Sequence, residues 1–207
     1  GGKDSMSGSF NELDVPPTIH ALLEDRLDRL ARSERATVEP AAVIGLEFER
    51  EALAALAPEA LQPGLDDALD ALERKQFIQT TRDAALESIY RFHHHLVRET
   101  VYGGLLKRTR AQLHLRFVHW AEPAYAARAL EMDEILGYHL EQAQRCLREL
   151  GPLVAEGLAA GAQGAERLAR AARRVFARGD MHAAIGLYSR AVAMLDDIFE
   201  SDPDSLG

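Results

Sequence analysis

A chain of 207 residues with 47 % hydrophobic and 28 % charged residues is long enough for one or two domains with a buried core, and too apolar for a disordered segment. No uncharged apolar run reaches the roughly 18 residues that a membrane span needs, Gly1 to Phe10 lacks the apolar stretch of a signal peptide, and the net charge of −9 argues against global attraction to nucleic acid. These features predict a cytoplasmic protein, and its single cysteine, Cys146, reads as packing rather than as a nucleophile.

Asp14-Val15-Pro16-Pro17 opens the first helix, because proline is tolerated in a first helical turn where its missing N–H costs nothing. Ile19, Leu22, Leu23, Leu27 and Leu30 follow at spacings of three and four, which predicts an apolar stripe on a helix ending near Ser33. Ser33 then caps a second helix carrying Ala36, Val38, Ala41, Ala42, Val43 and Ile44, with Gly45 as its stop. A short third helix covers Glu49 to Ala57 before Pro58. Pro63-Gly64 leads into a fourth with Leu65, Leu69 and Leu72 on one side.

The pattern then changes. Phe77 to Thr81 and Ser88 to Phe92 are rich in β-branched and aromatic residues and flank a polar connection, Arg82 to Glu87, so they read as a two-stranded hairpin. Helices followed by a small hairpin is the order of a winged-helix domain. After Phe92 the expected elements are helical again: His94 to Tyr102, Leu106 to Ala127, Met132 to Leu150, Ala165 to Arg178 and Met181 to Phe199, with short connections that make antiparallel neighbours. Three glycines within Gly157 to Gly164 argue against a continuous helix there. Ala184-x-x-x-Tyr188-x-x-Ala191 after Gly179-Asp180-Met181 has the second-helix pattern of a tetratricopeptide repeat, with Leu168, Ala171, Ala172 and Val175 in the places of its first helix; the usual tryptophan and glycine are absent. Leu136 to Leu147 is a more degenerate helix of the same kind.

Motifs for catalysis are missing. Gly1-Gly2-Lys3-Asp4-Ser5 is only an echo of a phosphate-binding loop, since Asp4 stands where a hydroxyl belongs. His93-His94-His95 cannot converge on one metal, because successive helical side chains point about 100° apart. His114 and His119 are five apart rather than the i,i+4 of a zinc-binding helix. Between Arg91 and His119 stand six cations and one acid, which is either a solvated face or a surface for phosphate or an acidic neighbouring domain. The helix before the wing, Gly64 to Lys75, carries Asp66, Asp67, Asp70 and Glu73, the wrong sign for a DNA backbone. A DNA-binding winged helix of a transcriptional regulator is therefore the alternative reading, and a metal-dependent enzyme a third.

Val15 to Leu23, Arg26 to Leu30, Ala41 to Phe48 and Tyr90 to Tyr102 resemble the segment that follows the ATPase core in large bacterial STAND-type signalling ATPases. Arg110 to His114, Glu134 to Ala143 and Arg178-Gly179-Asp180 continue the resemblance, which covers nearly the whole chain after residue 14. Such ATPases are often fused to class III adenylate or guanylate cyclase domains or to LuxR-type DNA-binding domains, with tetratricopeptide repeats at the end. The resemblance implies a mainly α chain in four parts: a linker over 1–13, a winged-helix-like domain with a small hairpin over 14–105, a tetratricopeptide-like antiparallel array over 106–199, and a connector over 200–207.

The same resemblance implies a regulatory module with no catalytic residues and no cofactor of its own, controlling a parent that binds ATP or ADP with Mg. His94, in Phe92-x-His94-x-Leu96, takes the position that in relatives reaches the phosphates of ADP, with Arg98 as a further candidate. The eukaryotic and plant form of that motif is Met-His-Asp, whereas this sequence has His93-His94-His95. The residue type alone leaves open a histidine that caps or packs at the start of the helix. The implied partners are the upstream ATPase domain and further repeats or other proteins, with neither membrane nor DNA among them. The C-terminal apolar residues, Tyr188, Ile198 and Phe199 among them, are expected to bind a partner or a second copy.

Overall fold

A computed structural model describes residues 17–82 and 88–201. The expected linker over 1–13 and residues 202–207 of the expected connector lie outside the described residues, as do 83–87 of the hairpin connection.

The chain is mainly α-helical with one small antiparallel sheet. Helix α1 runs Pro17–Asp28, α2 Arg32–Ile44, strand β1 Glu47–Glu49, α3 Arg50–Leu56, α4 Leu65–Arg74, β2 Ile78–Arg82 and β3 Ser88–Phe92. Two predictions fail at the start. Helix α1 stops at Asp28 rather than near Ser33, and α2 is not capped by Ser33. Its first turn is held by Glu34, whose carboxylate accepts the Ala31 N–H at 2.7 Å and an ion pair from Lys75 at 2.5 Å. Burial pushes the Glu34 carboxyl up, but Lys75 and the Ala31 N–H outweigh it and hold it below the usual range.

The sheet has a third strand. Residues Glu47–Glu49, partly within the stretch expected to be helical, pair antiparallel with β3 through Phe48 and Tyr90, while Ile78 to Arg82 of β2 pair with Phe92 to Ser88 on the other edge. A three-residue strand has too few positions to show a period of two, so only its partner reveals it. The order helix, strand, helix, helix, strand, strand, with β3 central, is the winged-helix arrangement. Its core is formed by Val38, Ala41 and Ala42 of α2, Leu53 of α3, Leu65, Leu69 and Leu72 of α4, and Phe48, Ile78 and Phe92 of the sheet.

Four longer helices and a short one complete the chain: α5 His95–Gly104, α6 Lys107–Ala124, α7 Ala129–Arg148, α8 Ala155–Ala177 and α9 Met181–Ser201. Residues 200 and 201, expected in a connector, end α9. Helices α6 to α9 pack as antiparallel neighbours around Phe117, Leu136, Leu140, Leu168, Leu187 and Met194. Ile44 and Tyr102 pack against both this core and that of the winged unit, so the two units share a continuous interior. Among the described residues no helix is long and apolar enough to cross a membrane.

Helix α8 corrects another expectation. It runs unbroken through Gly157, Gly161 and Gly164, all of them buried. These glycines weaken the isolated helix, yet they let α8 approach its neighbours closely. A Cβ on Gly161 would lie 2.5 Å from Gln144 Nε2 and 2.9 Å from Ile198 Cδ1, and that amide donates to the Met194 carbonyl across the helix interface at 2.9 Å. Gly161→Val is therefore expected to destabilise by about 2–3 kcal/mol, from overpacking and a broken buried hydrogen bond. Gly186→Ala, on an exposed face of α9 with open space around it, should instead gain up to about 1 kcal/mol from helix propensity. Thermal unfolding of the two variants checks both signs.

Candidate functional site

His94 stands between the sheet and α5. Its backbone is extended, with φ −144° and ψ 140°, and its ring Nδ1 accepts the Leu96 N–H at 3.1 Å. Histidine here does the work usually given to Ser or Asp at a helix start. The cap has a chemical consequence: a neutral imidazole whose Nδ1 accepts must carry its proton on Nε2, so the exposed edge of the ring is a donor. Neighbouring residues are fixed too. The His93 N–H donates to the Phe77 carbonyl at 2.9 Å, and the rings of His94 and His95 stack at 4.4 Å.

A groove of about 360 Å³ opens beside this imidazole. Its apolar floor comes from Ile19 and Leu23 of α1 and Leu96 and Val97 of α5, and its polar rim from Arg26, Gln76, His93 and His94. Arg26 is positioned by the Lys75 carbonyl at 3.0 Å and by the Phe77 ring, whose centroid lies 4.9 Å from the guanidinium carbon. Gln76 has φ +60°. It ends α4 in a Schellman turn, in which the Gln76 N–H reaches the Glu73 carbonyl and the Phe77 N–H reaches that of Leu72, and the left-handed residue belongs to that turn. Sequence reasoning named His94 but neither Arg26 nor Gln76, because three separate elements bring them to one groove.

Arg98 does not join the groove rim. Its Nε donates to the Ala42 carbonyl at 2.9 Å and its guanidinium lies over the Tyr102 ring, so it ties α5 to α2. Other cations of the basic segment are similarly engaged. Arg110 donates to the carbonyls of Leu105 and Gly103, Arg116 to that of Ala55, Lys107 pairs with Glu149 and Arg91 with Glu47. Much of the positive charge thus serves contacts within the chain. Helix α4 keeps its acidic outer face: Asp66, Asp67, Asp70 and Glu73 are exposed, with Asp66 bound to Arg50 at 2.6 Å.

A second polar cluster lies at the junction of the two units. Tyr102 Oη of α5 is 2.9 Å from His114 Nε2 of α6, and His114 Nδ1 is 2.8 Å from His139 Nδ1 of α7. Both histidines are at most 1 % exposed. Two facing Nδ1 atoms at this distance share one proton, so one ring donates and the other accepts. Burial, the facing His139 and nearby guanidiniums push His114 well below the ordinary histidine value, and burial with Arg98 brings His139 down to about 3. Burial also pushes the Tyr102 hydroxyl up to about 12 and raises the buried Cys146 thiol. The i,i+4 test applied to His114 looked along one helix, whereas its partner lies on the next.

The expected partner-binding residues separate. Tyr188 and Phe199 are 39 % and 54 % exposed, but Ile198 is 4 % exposed and packs inward. One residue along α9 turns it 100° from Phe199, enough to change its face.

Among curated proteins, the chain is 30 % identical over 171 residues to a protein of Rhizobium meliloti (strain 1021) named "Uncharacterized protein R02095". The match takes in 83 % of this chain and 16 % of that protein, so the chain spans less than a fifth of its relative's length. No known-family profile matches the chain, and no solved structure does.

Proposed function

We propose that this chain is a nonenzymatic regulatory and interaction module of a larger cytoplasmic signalling ATPase of the STAND type. In this reading the winged unit docks on the upstream nucleotide-binding domain and biases it toward the ADP-bound off state, and the tetratricopeptide-like array binds protein partners. The observation that carries it is the outward Nε2–H of His94, oriented by the cap on α5 and set at the rim of a groove with Arg26 and Gln76. An imidazole N–H at a helix start, with a guanidinium close by, suits a phosphate oxygen. The acidic face of α4 supports contact with protein rather than with duplex DNA. The much longer relative fits a module within a multidomain chain.

The test uses the intact parent protein and the rate at which bound ADP dissociates. Loss of a charge-assisted hydrogen bond made only in the closed state is worth about 1.5–3 kcal/mol, so His94→Ala should speed release roughly tenfold or more and shift the population toward the active state. His94→Asn separates the two roles of the ring. Asparagine can still cap α5 but has no donor at the Nε2 position, so it should restore thermal stability without restoring ADP retention. His93→Ala and His95→Ala, which keep the His94 ring and its cap on α5, should change release much less than His94→Ala does. Equal ADP release in wild type and His94→Ala removes His94 from the mechanism.

A further inference from the structure

Helix α9 has two apolar faces. Ala184, Leu187, Ala191, Met194 and Ile198 pack inward and are at most 5 % exposed. Met181, Ile185, Tyr188, Val192, Leu195 and Phe199 make a second face, each exposing between 39 and 61 % of its surface. Their spacing alternates four and three along the whole helix, the period of a coiled-coil seam, so the six side chains form one continuous line. An apolar line of this length on the outside of a protein marks an interaction surface.

We propose that this line is the interface of a symmetric homodimer, in which α9 of a second copy lies antiparallel across it. The occupant is indicated by the pattern itself. A two-fold axis at Arg190 brings Met181 opposite the partner's Phe199, Ile185 opposite the partner's Leu195 and Tyr188 opposite the partner's Val192. Each ring then meets an unbranched or smaller side chain, the self-complementarity an isologous interface requires.

Polar pairing selects the same direction. His182, Ser189 and Asp196 recur every seven residues beside the line, on its solvent side. Antiparallel pairing places His182 opposite the partner's Asp196 at both ends of the seam and the two Ser189 side chains together at the axis. Parallel pairing would set these positions against the inward Ala184, Ala191 and Ile198, leaving the Asp196 carboxylate and the His182 ring without a polar partner. The remaining charges of the helix's middle and end add no conflict, since Arg190 is held by Glu141 at 2.6 Å and Asp197 and Glu200 by Arg148. This inference does not depend on the role of His94.

Sedimentation equilibrium of the full chain over a wide concentration range tests it. Wild type should show a monomer–dimer equilibrium, and Ile185→Asp should be monomeric with unchanged far-ultraviolet circular dichroism. His182→Glu and Asp196→Lys should each weaken the dimer about threefold to tenfold, as expected for exposed charges at a rim. Combined in one chain, His182→Glu and Asp196→Lys should restore it, because each new glutamate faces a new lysine. A chain that is monomeric at every concentration overturns the proposal and leaves the line to a helix from another protein or from a longer chain. A dimer that survives Ile185→Asp, or a double variant no better than the single ones, overturns it as well.

Discussion

Asp133→Ala is expected to destabilise the protein by about 3–5 kcal/mol, the usual effect of removing one partner from a buried ionic cluster. The Asp133 side chain is 2 % exposed. It lies on α7 beneath three arginines of α8: Arg170 at 2.8 Å, Arg174 at 2.7 Å and Arg167 at 3.4 Å. Burial raises its carboxyl, but the hydrogen bonds from Arg170 and Arg174 outweigh that effect and hold it below the ordinary range. Arg167 and Arg170 are balanced further by Glu122 and Glu166. Truncating Asp133 leaves these guanidiniums crowded around an empty acceptor, whereas Arg174→Ala leaves two arginines on the carboxylate and should cost much less, about 1 kcal/mol. Urea unfolding of the two variants measures the difference. A cost below about 1 kcal/mol for Asp133→Ala would mean that water replaces the carboxylate and that the cluster is not a clamp.

Acidification from pH 7 to pH 5 is expected to weaken the fold through the histidines at the junction. The ordinary histidine value is 6.5, and His139 is brought down to about 3 in the folded chain, with His114 shifted in the same direction. Between those values the unfolded chain binds protons that the folded chain refuses. The stability contributed by the neutral ring is therefore complete above 6.5 and lost as pH falls toward 3. His139 alone accounts for about 2 kcal/mol by pH 5, and a second proton on the pair would set one N–H against another across 2.8 Å. The carboxylates held low by partners, Glu34, Asp66, Asp133 and Glu149, start from ordinary values of 3.8 to 4.5 and titrate below this window. Glu39, raised by burial, acts in the opposite direction, so a fall in stability from pH 7 to 5 points to the histidines. Denaturant midpoints in that window should fall with pH in wild type and stay nearly flat in a His114→Gln/His139→Gln variant. The same slope in both would assign the effect to other groups. Since Tyr102, His114 and His139 come from three helices where the winged unit meets the array, the loss should open that junction before the sheet.

Local signals carried much of this architecture. Leu65, Leu69 and Leu72 placed α4 correctly, because a period of 3.6 needs only neighbours along one helix to be visible. The hairpin of β2 and β3 was legible from its β-branched and aromatic runs, whereas His94 was singled out by the resemblance and not by the residues themselves. Resemblance gave His94 a role, and geometry added the tautomer that the cap requires.

What could not be read lies in contacts between elements distant in sequence. Strand β1 exists because β3 has a free edge for Phe48 to join, and α8 stays helical through Gly157, Gly161 and Gly164 because Leu153, Gln144, Ile198 and Met194 occupy the space that side chains would need. Helix propensity penalises those glycines one at a time, while packing rewards them only when α7 and α9 are in place. Arg98 and Arg110 look like a basic surface until the carbonyls they bind are seen, and His114 looks solitary until α7 brings His139 to it. Composition and periodicity determined most of the helices, the hairpin of β2 and β3 and many of the apolar faces, since those depend on residues a few positions apart. Which charges are spent inside, which glycines are contacts and whether Ile198 or Phe199 faces outward were decided by the tertiary structure, because each depends on a partner dozens of residues away.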